Sequence, residues 1–213
     1  MFDRIAPVYD VMNRAMTGGL DRRWRRHTAS AVVGRGDRVL DAACGTGDLA
    51  IADLRAGAGS VTGLDFSSAM LERAGKKSSE VAWVRGDLLD LPFPDASFDA
   101  ATIGFGIRNV PELEAGLREL RRVIRPGGRL AILEITQPRG VLRPFFGFWF
   151  DRVVPLAGKL LPGGEAYTYL PASVRRFLSA EELVVALEGV GFADVRFRLF
   201  GGSIVALHTG TAA

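Results

Sequence analysis

From residue 38 onward the chain alternates short apolar runs with amphipathic stretches, and that alternation leaves few folds open to it. The runs are RVLDAA at 38 to 43, SVTGLD at 60 to 65, VAWVRGD at 81 to 87, FDAATIGFG at 98 to 106 and GRLAILEIT at 128 to 136. Each is rich in β-branched or aliphatic residues and bounded by glycine, proline or aspartate, the pattern of strands covered on both faces. Helical patterns lie between them: Asp48 to Ala56, Ser67 to Lys77 opening on a serine cap, and Pro111 to Ile124 with proline in its first turn. Alternating β and α predicts an α/β fold, a doubly wound, mostly parallel sheet. A further helix, Ser179 to Glu188, opens on SAEE. After it FADVRFRL and GSIVALH, joined by Gly201-Gly202, read as a terminal hairpin, so one of these strands runs antiparallel. An N-terminal helical region, 1 to 33, and an insertion, 138 to 178, stand outside the alternation.

The 213 residues carry no repeat and no linker that would divide them, and one domain spanning 1 to 213 is expected. Apolar residues at 48% and charged residues at 24% exclude a disordered or disulfide-scaffold chain. A net charge of +3 gives no reason to expect nucleic acid. The single cysteine, Cys44, permits no intrachain disulfide, and the start MFDR has an acid where a secretory signal would be basic. A cytoplasmic protein is expected. The stretch from Val141 to Leu161 is broken by Arg143, Asp151, Arg152 and Lys159, too many charges for a spanning helix.

In an open α/β sheet, ligands sit beyond the carboxyl ends of the strands where the strand order reverses. At the first strand's exit the chain reads VLDAACGTGD. Gly45 and Gly47 let a ligand approach the backbone near the free N–H groups of the next helix. Acids follow at successive strand ends: Asp41, Asp65 and Asp87. Asp41 could hold an ammonium, Asp65 could accept from both hydroxyls of a ribose, and Asp87 from an adenine amine. GTGDLA also satisfies the loose dinucleotide pattern, so a nucleotide-binding dehydrogenase stands as an alternative, although no arginine follows Asp65 to receive a 2′-phosphate.

DAACGTGD, GLDFSSAML, RGDLLDLPFPDASFD and RVIRPGGRLAILE resemble the successive motifs of class I S-adenosylmethionine-dependent methyltransferases. More narrowly, FDRIAPVYDVMN, GFGIRNV at 104 to 110, YTYLPASVRRF at 167 to 177 and GGSIVALHTG are similar to the menaquinone/ubiquinone biosynthesis C-methyltransferase family. The resemblance implies a seven-stranded sheet with its last strand antiparallel, and contacts to S-adenosylmethionine at Thr46, Asp65 and the pair Asp87-Leu88. Where that family usually has serine, this chain has Gly104, and Leu178 stands in place of a proline.

It also implies methyl transfer to a ring carbon of a polyprenylated quinol, demethylmenaquinol in the first place, with another small or lipid acceptor as the alternative. Transfer from a sulfonium needs positioning and dehydration of the reactants rather than a metal. His27, His208 and Cys44 offer no ligand spacing. The ring carbon gains electron density when a neighbouring hydroxyl ionises, so Arg108 is a candidate to hold the phenolate oxygen, Asn109 to orient it and Tyr9 to close over the ring. In the insertion, Phe145, Phe146, Phe148, Trp149 and Phe150 lie between Arg143 and Arg152, a surface suited to a prenyl tail, to peripheral contact with the inner face of a membrane, or to a second subunit in a homo-oligomer.

Overall fold

The computed structural model describes residue 6, residues 9–137 and residues 172–213. Two helices, α1 (Tyr9–Thr17) and α2 (Asp21–Val32), precede β1 (Arg38–Ala42). Then follow α3 (Asp48–Ala56), β2 (Ser60–Asp65), α4 (Ser68–Lys77), β3 (Ala82–Arg85), β4 (Phe98–Gly104), a 3-10 turn (Ile107–Asn109), α5 (Leu113–Val123), β5 (Ile124–Ile135), α6 (Ala180–Gly189), β6 (Phe192–Phe200) and β7 (Val205–Ala212). The seven strands form one sheet in the order β3-β2-β1-β4-β5-β7-β6. β1 to β5 pair in parallel, and β7 runs antiparallel to both of its neighbours.

Strand residues alternate between the two faces of this sheet, as the period of two requires. On β5, Leu130 and Ile132 enter a core with Leu117 and Leu120 of α5 and Leu183 and Leu187 of α6. Ala131 and Leu133 turn to the opposite face, against Trp24 and Val32 of α2. On that second face Val39 and Ala100 also meet Ala50 of α3. Burial on both faces is why these strands read as continuous apolar runs rather than as alternating ones.

Side-chain caps set two of the helix starts. Ser67 accepts from the Met70 N–H, and Ser179 and Glu182 form a reciprocal capping box. At α5 the expected start at Pro111 moves two residues on: Glu112 is the non-helical cap and its carbonyl takes the Gly116 N–H. Proline therefore precedes the helix instead of opening it. β5 begins at Ile124, ahead of the expected Gly128, because Ile124 pairs with Phe98 before an irregularity in register accommodates Pro126-Gly127-Gly128. The C-terminal turn is longer than its glycine pair, and β7 starts at Val205. β3 stops at Arg85, so Asp87 lies two residues past the strand end and not on it, in an isolated bridge with Asp90.

Candidate active site

Because β1 has β2 on one side and β4 on the other, the strand order reverses between β1 and β4, and the loops leaving these two strands part to form a cleft. Its walls come from the loop 43–46 after β1, the loop 104–106 after β4, Asp65 and Phe66 after β2, and Tyr9 and Arg25 from the N-terminal helices. Ala43 and Phe105 both hold positive φ, +53° and +60°, a conformation that costs a non-glycine residue free energy and gathers at functional sites. The two loops touch: a Cβ on Gly106 would stand 2.7 Å from that of Ala43.

At the cleft floor Asp41 is fully buried, and neither of its carboxylate oxygens has a hydrogen-bond partner. Burial pushes its carboxyl well above the usual range, and the neighbouring Asp53 pushes it further. The Ala50 N–H in the first turn of α3 pulls the other way, as does the charge of Arg25. Asp53 is buried behind it and accepts from Thr102 Oγ1 at 2.7 Å; burial raises it to about 8. Cys44 also lines the cleft. Burial, then the charges of Asp41 and Asp65, raise its thiol, which keeps it protonated and a poor nucleophile.

Asp65 sits at the exit of β2 with its rotamer fixed by the chain around it: Gly45 N–H donates to Oδ2 at 2.8 Å and Ser67 N–H to Oδ1 at 2.9 Å. Thr46 lies in the lining with its hydroxyl donating to Asp10 at 2.6 Å and accepting from Lys77 at 2.9 Å. Lys77 in turn reaches Asp48 at 2.7 Å, so α1, the loop after β1 and the end of α4 share one charged network. Burial alone would raise Asp10, but the hydrogen bonds from Lys77 and Thr46 hold it below its ordinary value.

Of the residues singled out from sequence, the fold gathers Tyr9, Asp41, Gly45, Thr46, Asp65 and Asn109 around this cleft, and Gly104 with them. It leaves four others outside the lining. Gly47 faces Trp83, whose ring would come within 2.4 Å of any Cβ there; with φ at +83° it serves the close packing at the start of α3. Asp87 is exposed and accepts from the Leu89 N–H, while Leu88 is buried in the core beside α5. The Arg108 guanidinium is turned to Glu134 on β5 at 2.6 Å and to the Phe105 carbonyl, also at 2.6 Å, leaving its Nε–H buried without an acceptor. Arg25, Asp53, Thr102, Asp10 and Lys77 had no sequence signal; each reaches the site from a separate element through tertiary contact alone. The aromatic part of the insertion, Phe145 to Phe150, lies outside the described residues. Among those described, no helix is long and apolar enough to cross a membrane.

A sheet of this order with β7 antiparallel, opening at the β1 and β4 exits onto buried acids, is the fold of class I methyltransferases. A SAM-dependent methyltransferase of Thermotoga maritima has the same fold, with a TM-score of 0.72 at 20% identity over 100% of this chain and 98% of that one. The chain belongs to the ubiE/COQ5 methyltransferase family, whose sequence model matches residues 1–212. Demethylmenaquinone methyltransferase of Thermus thermophilus is 43% identical over 99% of both chains. A 2-phytyl-1,4-naphtoquinone methyltransferase of Synechococcus elongatus is 43% identical over 90% of this chain and 87% of its own.

Proposed function

We propose that this methyltransferase moves a methyl group from S-adenosylmethionine to a ring carbon of a polyprenylated quinol, and that demethylmenaquinol is the acceptor. The observation that carries the donor half is Asp41. A buried carboxylate with both oxygens unpartnered, at the floor of a cleft, has the wrong environment for a structural group and the right one for a cationic ligand. S-adenosylmethionine brings an ammonium group and supplies an activated methyl on its sulfonium. Asp65, already aligned by two backbone N–H groups, is the acceptor for ribose hydroxyls. Phe66, 57% exposed in the lining, offers a ring for the purine to cover. Asp87 and Leu88 remain in the proposal as groups that the adenine end would meet beyond the cleft.

The acceptor half draws on the relatives, which are named for menaquinone and naphthoquinone methylation. Tyr9 of α1 and Asn109 of the turn after β4 both line the cleft, which supports them as the groups that orient the ring. Arg108 is proposed to stabilise the developing phenolate. Its buried Nε–H without an acceptor supports this, while its ion pair with Glu134 gives it a second duty in holding the 107–109 turn. Water, or another base, takes the ring proton, because arginine is too weak an acid to exchange one.

The test is direct. Purified protein, S-adenosylmethionine and a short-tailed demethylmenaquinol kept reduced should give a product heavier by one methylene, together with S-adenosylhomocysteine. Binding of S-adenosylhomocysteine without transfer to any reduced quinone would overturn the acceptor, and absence of that binding would overturn the donor.

A further inference from the structure

α2 carries four arginines among its first six residues, and of these Arg25 is buried against Asp21 while Arg22, Arg23 and Arg26 are exposed. Arg196 and Arg198 of β6 are exposed as well. The period of two puts both on the sheet face that α2 covers, because they stand opposite Thr209 and Leu207 of β7, and Leu207 packs with Trp24 of α2. A groove runs between helix and strand, lined by His27, Ser30, Arg196, Arg198, Phe200 and Leu207.

Two elements far apart in the chain thus bring five exposed arginines, 22, 23, 26, 196 and 198, to one face, and among the described residues none of them makes an ion pair. Asp21 is committed to Arg25, and Asp194, the single acid of β6, sits in the irregular stretch ahead of Arg196. The whole chain is only +3, so positive charge is gathered here rather than spread.

This face borders the cleft. β6 runs parallel to β5, since each is antiparallel to β7, so Phe200 ends its strand at the same edge of the sheet as the exits of β1 and β4. There Trp24 reaches the β6–β7 turn, 3.1 Å from where a Cβ on Gly201 would stand, and Leu20, just before α2, is 47% exposed. Cations around a groove with apolar side chains at its edge match the interfacial layer of an anionic bilayer, where headgroup charge lies above hydrocarbon. They match a nucleic acid less well. The Phe200 ring is already engaged, by His27 stacked at 5.8 Å and by the Arg198 guanidinium at 5.3 Å, and so makes a poor platform for a base.

We propose that the arginine face of α2 and β6 docks the protein on a membrane surface rich in anionic phospholipid, with the cleft edge of the sheet beside the lipid. A polyprenylated acceptor dissolves in that lipid, so docking brings the cleft to its substrate. This benefit rests on the proposed acceptor, whereas the attraction to the surface does not.

The experiment measures co-sedimentation of the protein with vesicles of phosphatidylcholine alone and of phosphatidylcholine mixed equally with phosphatidylglycerol. The parent protein should prefer the mixed vesicles by roughly 100-fold or more and be released from them as salt rises. Arg196→Gln combined with Arg198→Gln should lower that partition by roughly 10- to 30-fold, the weight of two arginines near an anionic surface. Arg23→Gln with Arg26→Gln should do the same from α2 and serves as the second reading should the first pair disturb its strand. Arg118→Gln with Lys76→Gln lowers the net charge equally at exposed sites on α5 and α4 and should leave the partition nearly unchanged. Turnover of a short-tailed quinol in solution should be the same in every variant. Equal loss in the α5 and α4 pair, or no preference for mixed vesicles in the parent protein, would overturn the docking face. Capture of a single-stranded oligonucleotide without vesicle binding would overturn it too and give the face to nucleic acid. Vesicle binding as expected, with no turnover of any quinol, would leave the docking face standing and overturn the acceptor instead.

Discussion

The Nζ of Lys77 stands 2.6 Å from Oδ2 of Asp10, and this contact fastens the N-terminal helix α1 to the end of α4 across the cleft loop. Both side chains are about a quarter exposed, 25% and 24%, so the pair contributes little to global stability, on the order of 1 kcal/mol or less. Its effect is local. Tyr9, the residue before Asp10, lines the cleft, and its ring lies 4.0 Å from where a Cβ on Gly45 would stand.

Lys77→Met should therefore speed amide exchange in residues 9–17 while moving the melting temperature only slightly. Exchange by mass spectrometry reads the difference, and added salt should reproduce part of it in the parent protein. If exchange over 9–17 stays unchanged in the variant, the helix is held by its apolar contacts and not by this charge.

Asp65 does two things that a substitution separates. Asp65→Ala should weaken S-adenosylhomocysteine binding by roughly 1.5 to 3 kcal/mol, the range for hydrogen bonds to a charged group. It also frees the Gly45 and Ser67 N–H groups, so part of the loss reflects a looser loop. Asp65→Asn retains an acceptor and should fall between. Unchanged affinity in folded Asp65→Ala would move the ribose elsewhere.

Asp53 makes stability depend on pH in a direction opposite to that of most carboxylates. In the fold burial raises it to about 8, against about 4 in an unfolded chain. Between those values the folded protein keeps a proton that the unfolded chain has released. This group's contribution to stability accordingly falls as pH rises from about 4 to about 8 and stays at its lower level above. Asp53→Asn keeps an acceptor for Thr102 and removes the proton. Urea midpoints at pH 5 and pH 8 should show the variant gaining on the parent at the higher pH; parallel midpoints would mean that Asp53 titrates as an ordinary acid.

Arg108 and Glu134 form a pair whose members are 9% and 1% exposed. Arg108→Ala leaves the Glu134 charge buried alone and should cost about 3 to 5 kcal/mol of stability by urea titration. Combining Arg108→Met with Glu134→Gln removes both charges, keeps one acceptor oxygen for the two backbone N–H groups, of residue 108 and Ile135, that Glu134 now serves with separate oxygens, and should restore part of it. With the fold restored, methyl transfer should remain about 100-fold slow if the guanidinium stabilises the acceptor anion. Recovery of the full rate would confine Arg108 to holding the turn.

Which of these groups could be read in advance followed from how far their contacts extend along the chain. α3 was legible from end to end because glycines with positive φ stand on both sides of it, Gly47 and Gly57. Asp41 and Asp65 were legible because a strand end fixes where a side chain emerges whatever packs on it later. Arg25 was not, since α2 presents several arginines and only docking against Phe105 decides which one turns inward. Gly47 misled for a related reason: a glycine beside a ligand and one pressed against an indole leave the same mark on a sequence, and Trp83, 36 positions away, supplied the second. Arg108 likewise read as a free cation until Glu134 on β5 was brought beside it.

The position of β7 between β5 and β6 has a consequence for how the chain is made. β5 completes its edge with residues 205–212, and β6, although it leaves the ribosome earlier, pairs among the described residues with that same strand alone. During synthesis the apolar rim of β5 therefore waits, unpaired, until residues 205–212 have emerged, and an exposed rim of that kind invites association with other chains. A transcript truncated before residue 205 would yield not a slightly shorter enzyme but a sheet broken between β5 and β6, and cells would meet it as a substrate for chaperones and proteases.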